Sequence, residues 1–266
     1  MIEISGEFFD PVKIMESGQC FRWQKNVNGS ISVISRGKYL EMKASENKVI
    51  LSCSESDFED YWAEYLDMGT DYEKIANLIL KSGDAHLIDA YNLGRGIRIL
   101  KQDLWEVIIS FLISQNNNIT RISKSIEAIC QKAGLKEEGG RGYRFPGPME
   151  VDYHMFDDSS LGLGYRVPYL MEMYKFAARN PNWLDELKTL NYEAAMDALI
   201  ARPGIGPKVA NCVCLFGLHH VDAFPVDTHV KQLINKYYPS GFDFEYFNGV
   251  AGIIQQFLFF YELKGR

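Results

Sequence analysis

The sequence predicts an α+β fold, mainly α, in which an N-terminal antiparallel β domain precedes two helical lobes. Three observations carry that expectation. Short alternating, β-branched runs fill residues 30–54, the pattern of half-buried strands. From Ser56 onward, apolar residues recur instead at helical spacing. Near residues 192–216, two helical stretches flank a Pro-Gly-x-Gly turn, which is a helix, a hairpin and a helix. The boundary is expected near residue 84, giving a β domain with helices over 1–84 and a helical region over 85–266.

In chain order, Asn28-Gly29 and Arg36-Gly37 are turn signals between the strands. Helical periodicity then runs through DFEDYWAEYLDM and YEKIANLILKSG. Asp103 is an N-cap for LWEVIISFLISQ, which stops at the triplet Asn116, Asn117, Asn118. The next helix, ITRISKSIEAICQKA, ends at Gly134. Turn-rich connectors lead to helices around 171–178 and 183–190. Residues 192–201 enter the hairpin, 208–216 leave it, and 228–237 follow Asp227. The last helix, 250–263, reads as apolar along one side.

Composition bounds the function. Of 266 residues 47% are hydrophobic and 24% charged, and no apolar run is long enough for a membrane span. The start, MIEISGEFFDPVK, lacks the basic and apolar regions of an export signal. The five cysteines are scattered, with no CxxC pair, which suits reduced thiols. A cytoplasmic monomer, or a nuclear one in a eukaryote, is the expectation. The net charge is −7, with −6 in residues 1–84 and −1 in residues 85–266. Nucleic-acid binding would therefore rest on a few placed contacts, and its affinity should depend only shallowly on salt.

The chemistry concentrates between Leu199 and Val230. Gly204 and Gly206 flank Ile205 and let the backbone turn with its N–H groups outward. Pro207 suits the first position of the following helix. Bare donors and a helix N-terminus converge there on one point, an anion site. Lys208 stands at that mouth, and a lysine amine can add to a sugar carbon and form a Schiff base. Asp227 follows 19 residues later. Singly, these are a first-turn lysine, a helix cap and a tight turn. Together, in this order, they are a catalytic constellation.

Helix, hairpin, helix, lysine and downstream aspartate resemble the helix-hairpin-helix DNA glycosylases. Nothing after Cys214 supplies the four-cysteine iron–sulfur loop of the endonuclease III group. The resemblance narrows to the 8-oxoguanine DNA glycosylases through SGQCFRW at 17–23, LISQNNNITRI at 112–122, LGLGYR at 161–166, the hairpin-to-aspartate run, and AGIIQQFLFF at 251–260. It implies a bifunctional enzyme, a glycosylase with abasic-site lyase activity, acting on double-stranded DNA with oxidised guanine. Lys208 would attack C1′ and Asp227 would assist. Gly18, Cys212, Gln255 and Phe259 would hold the damaged base. Asn116, Arg121 and Arg166 would read the opposite cytosine while Tyr165 wedges the stack. Gly204, Gly206, Val209 and His229 would contact phosphate.

The resemblance also explains the selectivity. Oxidation at C8 turns guanine N7 from an acceptor into an N–H donor, so a fixed backbone acceptor at Gly18 would tell the two bases apart. No cofactor is expected. Carbonyls of Ile200, Arg202 and Ile205 are candidates for a structural cation, and no side-chain metal site is expected. The competing readings are a glycosylase for another damaged base, a hairpin module that only binds DNA, and a phosphate-binding small-molecule enzyme without the dinucleotide fingerprint.

Overall fold

The computed structural model describes residues 1–265. Five strands, β1 (Ile2–Ser5), β2 (Gln24–Lys25), β3 (Ile31–Ser35), β4 (Lys38–Ser45) and β5 (Lys48–Leu51), form one antiparallel sheet in the order β1-β5-β4-β3-β2. Arg36 and Gly37 both take positive φ, 49° and 79°, making the two-residue turn whose twist matches antiparallel strands. That turn sets the register Ser35 opposite Lys38 and Val33 opposite Leu40. Strand β1 and the short helix α1 (Pro11–Glu16) between it and β2 go beyond the elements the sequence predicts. Asp10 caps α1 by accepting from Val12 N at 2.9 Å and Lys13 N at 3.1 Å, with Pro11 opening the helix.

The helical part begins with α2 (Glu55–Asp57), a π turn (Phe58–Trp62) and α3 (Ala63–Tyr65), which together make one winding stretch. Then come α4 (Tyr72–Ser82), α5 (Ala85–Gly94), α6 (Leu104–Ser114) and α7 (Ile119–Ala133). Three 3-10 turns, Tyr153–Asp157, Ser159–Leu161 and Gly164–Arg166, lead to α8 (Val167–Arg179), α9 (Trp183–Lys188), α10 (Tyr192–Ile200), α11 (Pro207–Phe216), α12 (Thr228–Tyr237) and α13 (Ala251–Lys264). The expected caps form: Asp103 accepts from Glu106 N at 3.0 Å, and Gly134 ends α7 at φ 71°. Helix α5 is not among the helices the sequence predicts, although Asp84 caps it through Leu87 N at 3.0 Å.

Two buried clusters organise the chain. The first joins the sheet to α1 and the α2–α3 stretch, through Ile14, Leu40, Met42, Leu51, Trp62 and Leu66. The second is the helical core, and it includes Tyr72, Ile75 and Ile79 of α4, a helix the sequence reading grouped with the N-terminal unit. Helix α6 runs through this core with nine of its eleven residues buried. Helix α13 corrects the one-sided expectation: nine of its fourteen residues are buried, including Gln255 and Gln256. A helix covered nearly all round must meet its neighbours closely. A Cβ on Gly94 of α5 would lie 2.9 Å from Phe257, and one on Gly252 would lie 2.4 Å from the Ala223 carbonyl.

Candidate active site and nucleic-acid interface

The hairpin between α10 and α11 turns on two observed contacts. Gly204 has φ 81°, and the Tyr169 ring packs so closely that a Cβ there would sit 2.6 Å from it. Its carbonyl accepts from Gln115 Nε2 at 3.0 Å, which ties the hairpin to the end of α6. Gly206 is the N-cap of α11 and supplies no side chain to it. The N–H groups of Gly204, Gly206 and Val209 thus have no acceptor among the described residues. That leaves outward donors at a helix N-terminus, the arrangement that suits an anion.

Among the three hairpin carbonyls, those of Ile200 and Ile205 receive no donor from the described residues, while Arg202 O accepts from Ile205 N at 3.2 Å. The Arg202 guanidinium lies 4.1 Å over the Phe176 ring, and its Nε has no partner among the described residues. The Arg202 carbonyl is thus shared with the turn, and the other two are the free ones.

Behind the hairpin lies a cavity of about 50 Å³ lined by Gly18, Lys208, Cys212, Asp227, Gln255 and Phe259. All six residues expected at the reacting and base-holding positions therefore meet at one place. Lys208 and Cys212 stand one turn apart on α11. Asp227 caps α12 and accepts from Val230 N at 2.8 Å, so its ordinary structural role and its pocket-facing position coexist. Burial pushes the Cys212 thiol up to about 11, with Lys208 pulling the other way. The thiol is thus protonated at neutral pH and presents a soft, uncharged surface.

The opposite wall comes from α13 and from the end of α1. Gln255 is 4% exposed, and its Nε2 donates to Pro225 O at 3.2 Å. Because that carbonyl can only accept, the amide is oriented, and Oε1 is left buried with no donor among the described residues. An orphaned acceptor in a pocket wall is complementary to an N–H edge. Gly18 follows the last turn of α1 at φ 78°, and a Cβ on it would lie 3.2 Å from the Phe259 ring. The Gly18 carbonyl also has no donor among the described residues.

Sequence reasoning missed several neighbours. Phe111 carries Lys208 Nζ at 5.4 Å from its ring centroid and stacks on Phe216 at 5.6 Å. Gln19, Gln102, Gln115 and Gln256 are buried or half-buried amides that hold backbone carbonyls. The signal available for Gln19, Gln115 and Gln256 was the presence of glutamines inside the quoted motifs, where apolar residues would pack as well; Gln102 lies outside those motifs.

The remaining predicted residues lie outside the cavity. Asn116 is exposed at φ 47°, and its Nδ2 donates to the Tyr165 hydroxyl at 3.2 Å. Tyr165 is 54% exposed and itself donates to Gln115 O at 3.2 Å. Arg121 is exposed in the first turn of α7, and His229 in the first turn of α12. Arg166 departs from expectation. It was expected on an exposed loop but is 5% exposed, donating to the carbonyls of Gln115 (3.0 Å), Leu163 (3.1 Å) and Asn116 (3.2 Å). A guanidinium's five donors are well matched to such a cluster of carbonyls. Arg166 therefore holds the Asn116 turn from inside, while the side chains of Asn116, Tyr165 and Arg121 are exposed.

Residues 1–108 match the family model described as the 8-oxoguanine DNA glycosylase N-terminal domain. The Clostridium acetobutylicum 8-oxoguanine glycosylase/lyase, solved with double-stranded DNA containing cytosine opposite 8-oxoguanine, is 34% identical, with a TM-score of 0.88 over 97% of this chain and 93% of that one. MBOgg1, solved in complex with a low-affinity DNA ligand, is 31% identical with a TM-score of 0.90 over 99% of this chain and 96% of that one. The N-glycosylase/DNA lyase of Saccharomyces cerevisiae is 35% identical over 159 residues, 54% of this chain and 42% of that protein. The chain thus spans about two fifths of that curated relative's length. With the Clostridium enzyme alike over nearly the whole of both chains, and the lysine, aspartate and pocket residues gathered at one cavity, this protein belongs to the 8-oxoguanine DNA glycosylase family.

Proposed function

We propose that the protein excises 8-oxoguanine from duplex DNA and then cleaves the abasic strand through an imine on Lys208. The observation that carries this reading is the pocket: an amine and a carboxylate facing two unpaired acceptors, Gly18 O and Gln255 Oε1. A guanine oxidised at C8 offers N–H groups at N7 and along its Watson–Crick edge, and it meets both acceptors with donors. Ordinary guanine would set its N7 lone pair against the Gly18 carbonyl. A buried bond lost in this way costs about 1–3 kcal/mol, roughly tenfold to a hundredfold in selection.

The cavity of about 50 Å³ holds little more than a water or two. Phe259, now resting on Gly18, would swing aside for the extruded base and stack on it opposite Cys212. The hairpin N–H groups and His229 would grip phosphate, while Tyr165 and Asn116 fill the vacated space and meet the cytosine. As the glycosidic bond lengthens, the Asp227 carboxylate stabilises positive charge at C1′. The lone pair of the Lys208 amine forms the N–C1′ bond as the base leaves with its bonding electrons and takes up the proton that the amine sheds. Ring opening gives the imine, and loss of a C2′ proton expels the 3′ phosphate.

Borohydride trapping tests this with a duplex carrying 8-oxoguanine opposite cytosine, an unmodified duplex and the Lys208→Gln variant. A covalent adduct is expected only with lesion and wild type together. An adduct with Lys208→Gln would remove the nucleophile assignment. Absence of both adduct and released 8-oxoguanine would remove the function.

A further inference from the structure

We propose that Gln256, one residue past the pocket glutamine, is a positioning residue that aims the Gly18 carbonyl. This rests on the reading of Gly18 as the acceptor for the lesion's N7–H. Gln256 is 2% exposed, and its Nε2 donates to Ser17 O at 2.6 Å across 239 residues of sequence. Nothing about packing calls for an amide here. A buried amide is tolerated only when its hydrogen bonds are made, and this one is made to the peptide that enters Gly18.

The geometry around Gly18 explains why that bond matters. A glycine at φ 78° sits in a region where neighbouring peptide planes rotate easily, because no Cβ opposes them. The far side of Gly18 is already clamped. Gln19 Oε1 accepts from Leu100 N at 2.9 Å, and Gln19 Nε2 donates to Ser17 Oγ and Arg98 O, each at 2.9 Å. Gln102 Nε2 holds the Gln19 carbonyl at 2.8 Å.

On the near side, Ser17 Oγ and N both donate to Ile14 O, which anchors the residue but not the plane of its carbonyl. Gln256 alone holds that carbonyl among the described residues. With both flanking peptides fixed, the Gly18 carbonyl has one direction left, and it carries no internal donor. Helix α13 therefore supplies both acceptors of the pocket, Gln255 Oε1 directly and Gly18 O through Gln256.

The test uses the full chain as wild type, Gln256→Met and Gln256→Glu. Methionine keeps length and volume without a donor, and glutamate sets an acceptor against the Ser17 carbonyl. Single-turnover excision of 8-oxoguanine, with protein in excess, is compared with cleavage of a preformed abasic duplex, which needs no base recognition. Excision relative to abasic cleavage is expected to fall about tenfold for Gln256→Met, and further for Gln256→Glu. A merely structural role would lower both activities in parallel, and that result would overturn the proposal. So would a wild-type ratio in Gln256→Met, the variant that decides if Gln256→Glu does not fold. A wild type that releases no 8-oxoguanine at all would overturn the underlying function instead, and the wild-type reactions of the same experiment report it separately.

Discussion

Lys208, Cys212 and Asp227 come from one continuous run, with the aspartate 19 positions after the lysine. The wall that faces them is joined by a hydrogen bond spanning 239 residues, between α13 and the end of α1. The first wall is set by local rules: two glycines, a proline at a helix start and an aspartate cap determine where the amine and carboxylate point. The second is set by packing and by buried amides, and no local pattern dictates it. On the proposed function, the chemistry of bond breaking sits on the locally determined wall, while discrimination between two nearly identical bases sits on the wall that depends on the whole fold. The two should fail differently.

The largest separation is expected at Asp227. Replacing it with asparagine keeps a good helix cap and removes the charge. Base excision should drop about a hundredfold to a thousandfold, the usual effect of losing one electrostatic stabiliser of a transition state. The thermal midpoint should stay near that of wild type. Asp227→Ala removes both roles and should add a stability loss of about 1 kcal/mol. Equal midpoints for the two variants would show that the cap contributes nothing, and equal excision by Asp227→Asn and wild type would take the carboxylate out of the mechanism.

A smaller effect, of the opposite character, is expected at Gly252 on the assembled wall. A methyl there would stand 2.4 Å from Ala223 O, 2.6 Å from Leu215 Cδ1 and 2.8 Å from Val221 O. Two of these are backbone atoms that cannot turn away. Gly252→Ala should cost about 1–3 kcal/mol and push α13 off the segment that carries Pro225, loosening the Gln255 contact. Denaturation should show the loss. Excision of 8-oxoguanine should fall more than abasic cleavage does. A variant as stable as wild type would mean that the two elements can separate without strain.

The same division explains what the sequence disclosed. The hairpin, its lysine, the Asp227 cap and α12 follow from residue types whose backbone preferences act over a few positions. The six pocket residues were reached through several short motifs in a fixed order, and the cavity brings those six together. What stayed hidden depended on distant partners. Arg166 looked like a surface reader because it follows a glycine-rich turn, but two carbonyls of a separate segment, Gln115 O and Asn116 O, join the local Leu163 O in drawing it inside. Helix α13 read as one-sided because Gln255 and Gln256 are polar, yet both are buried, one holding Pro225 O and the other Ser17 O. Polarity predicts exposure only until a buried carbonyl claims the donor.

The smallest expected effect comes from pH, and it also falls on the assembled wall. Arg22, four residues beyond Gly18, is 6% exposed and approaches Glu106 of α6 at 3.5 Å. It also donates to Ile34 O and Tyr143 O, so it ties the residues around Gly18 to the sheet and to the helical core. Burial pushes the Glu106 carboxyl up to about 7 from an ordinary 4.5, even though Arg22 draws it down. A carboxyl raised in the folded state favours the protonated form there. Its contribution to stability is complete below pH 4.5 and is lost as pH rises through about 7. Between pH 5 and pH 8 the thermal midpoint should therefore fall, by about 2–4 °C for each kcal/mol lost in a chain of this size. Glu106→Gln, neutral at every pH, should flatten that slope. An unchanged slope in Glu106→Gln would mean that Arg22 keeps the carboxylate ionised throughout, making the link between the residues around Gly18 and α6 a permanent ion pair instead of one that forms only as pH rises through about 7.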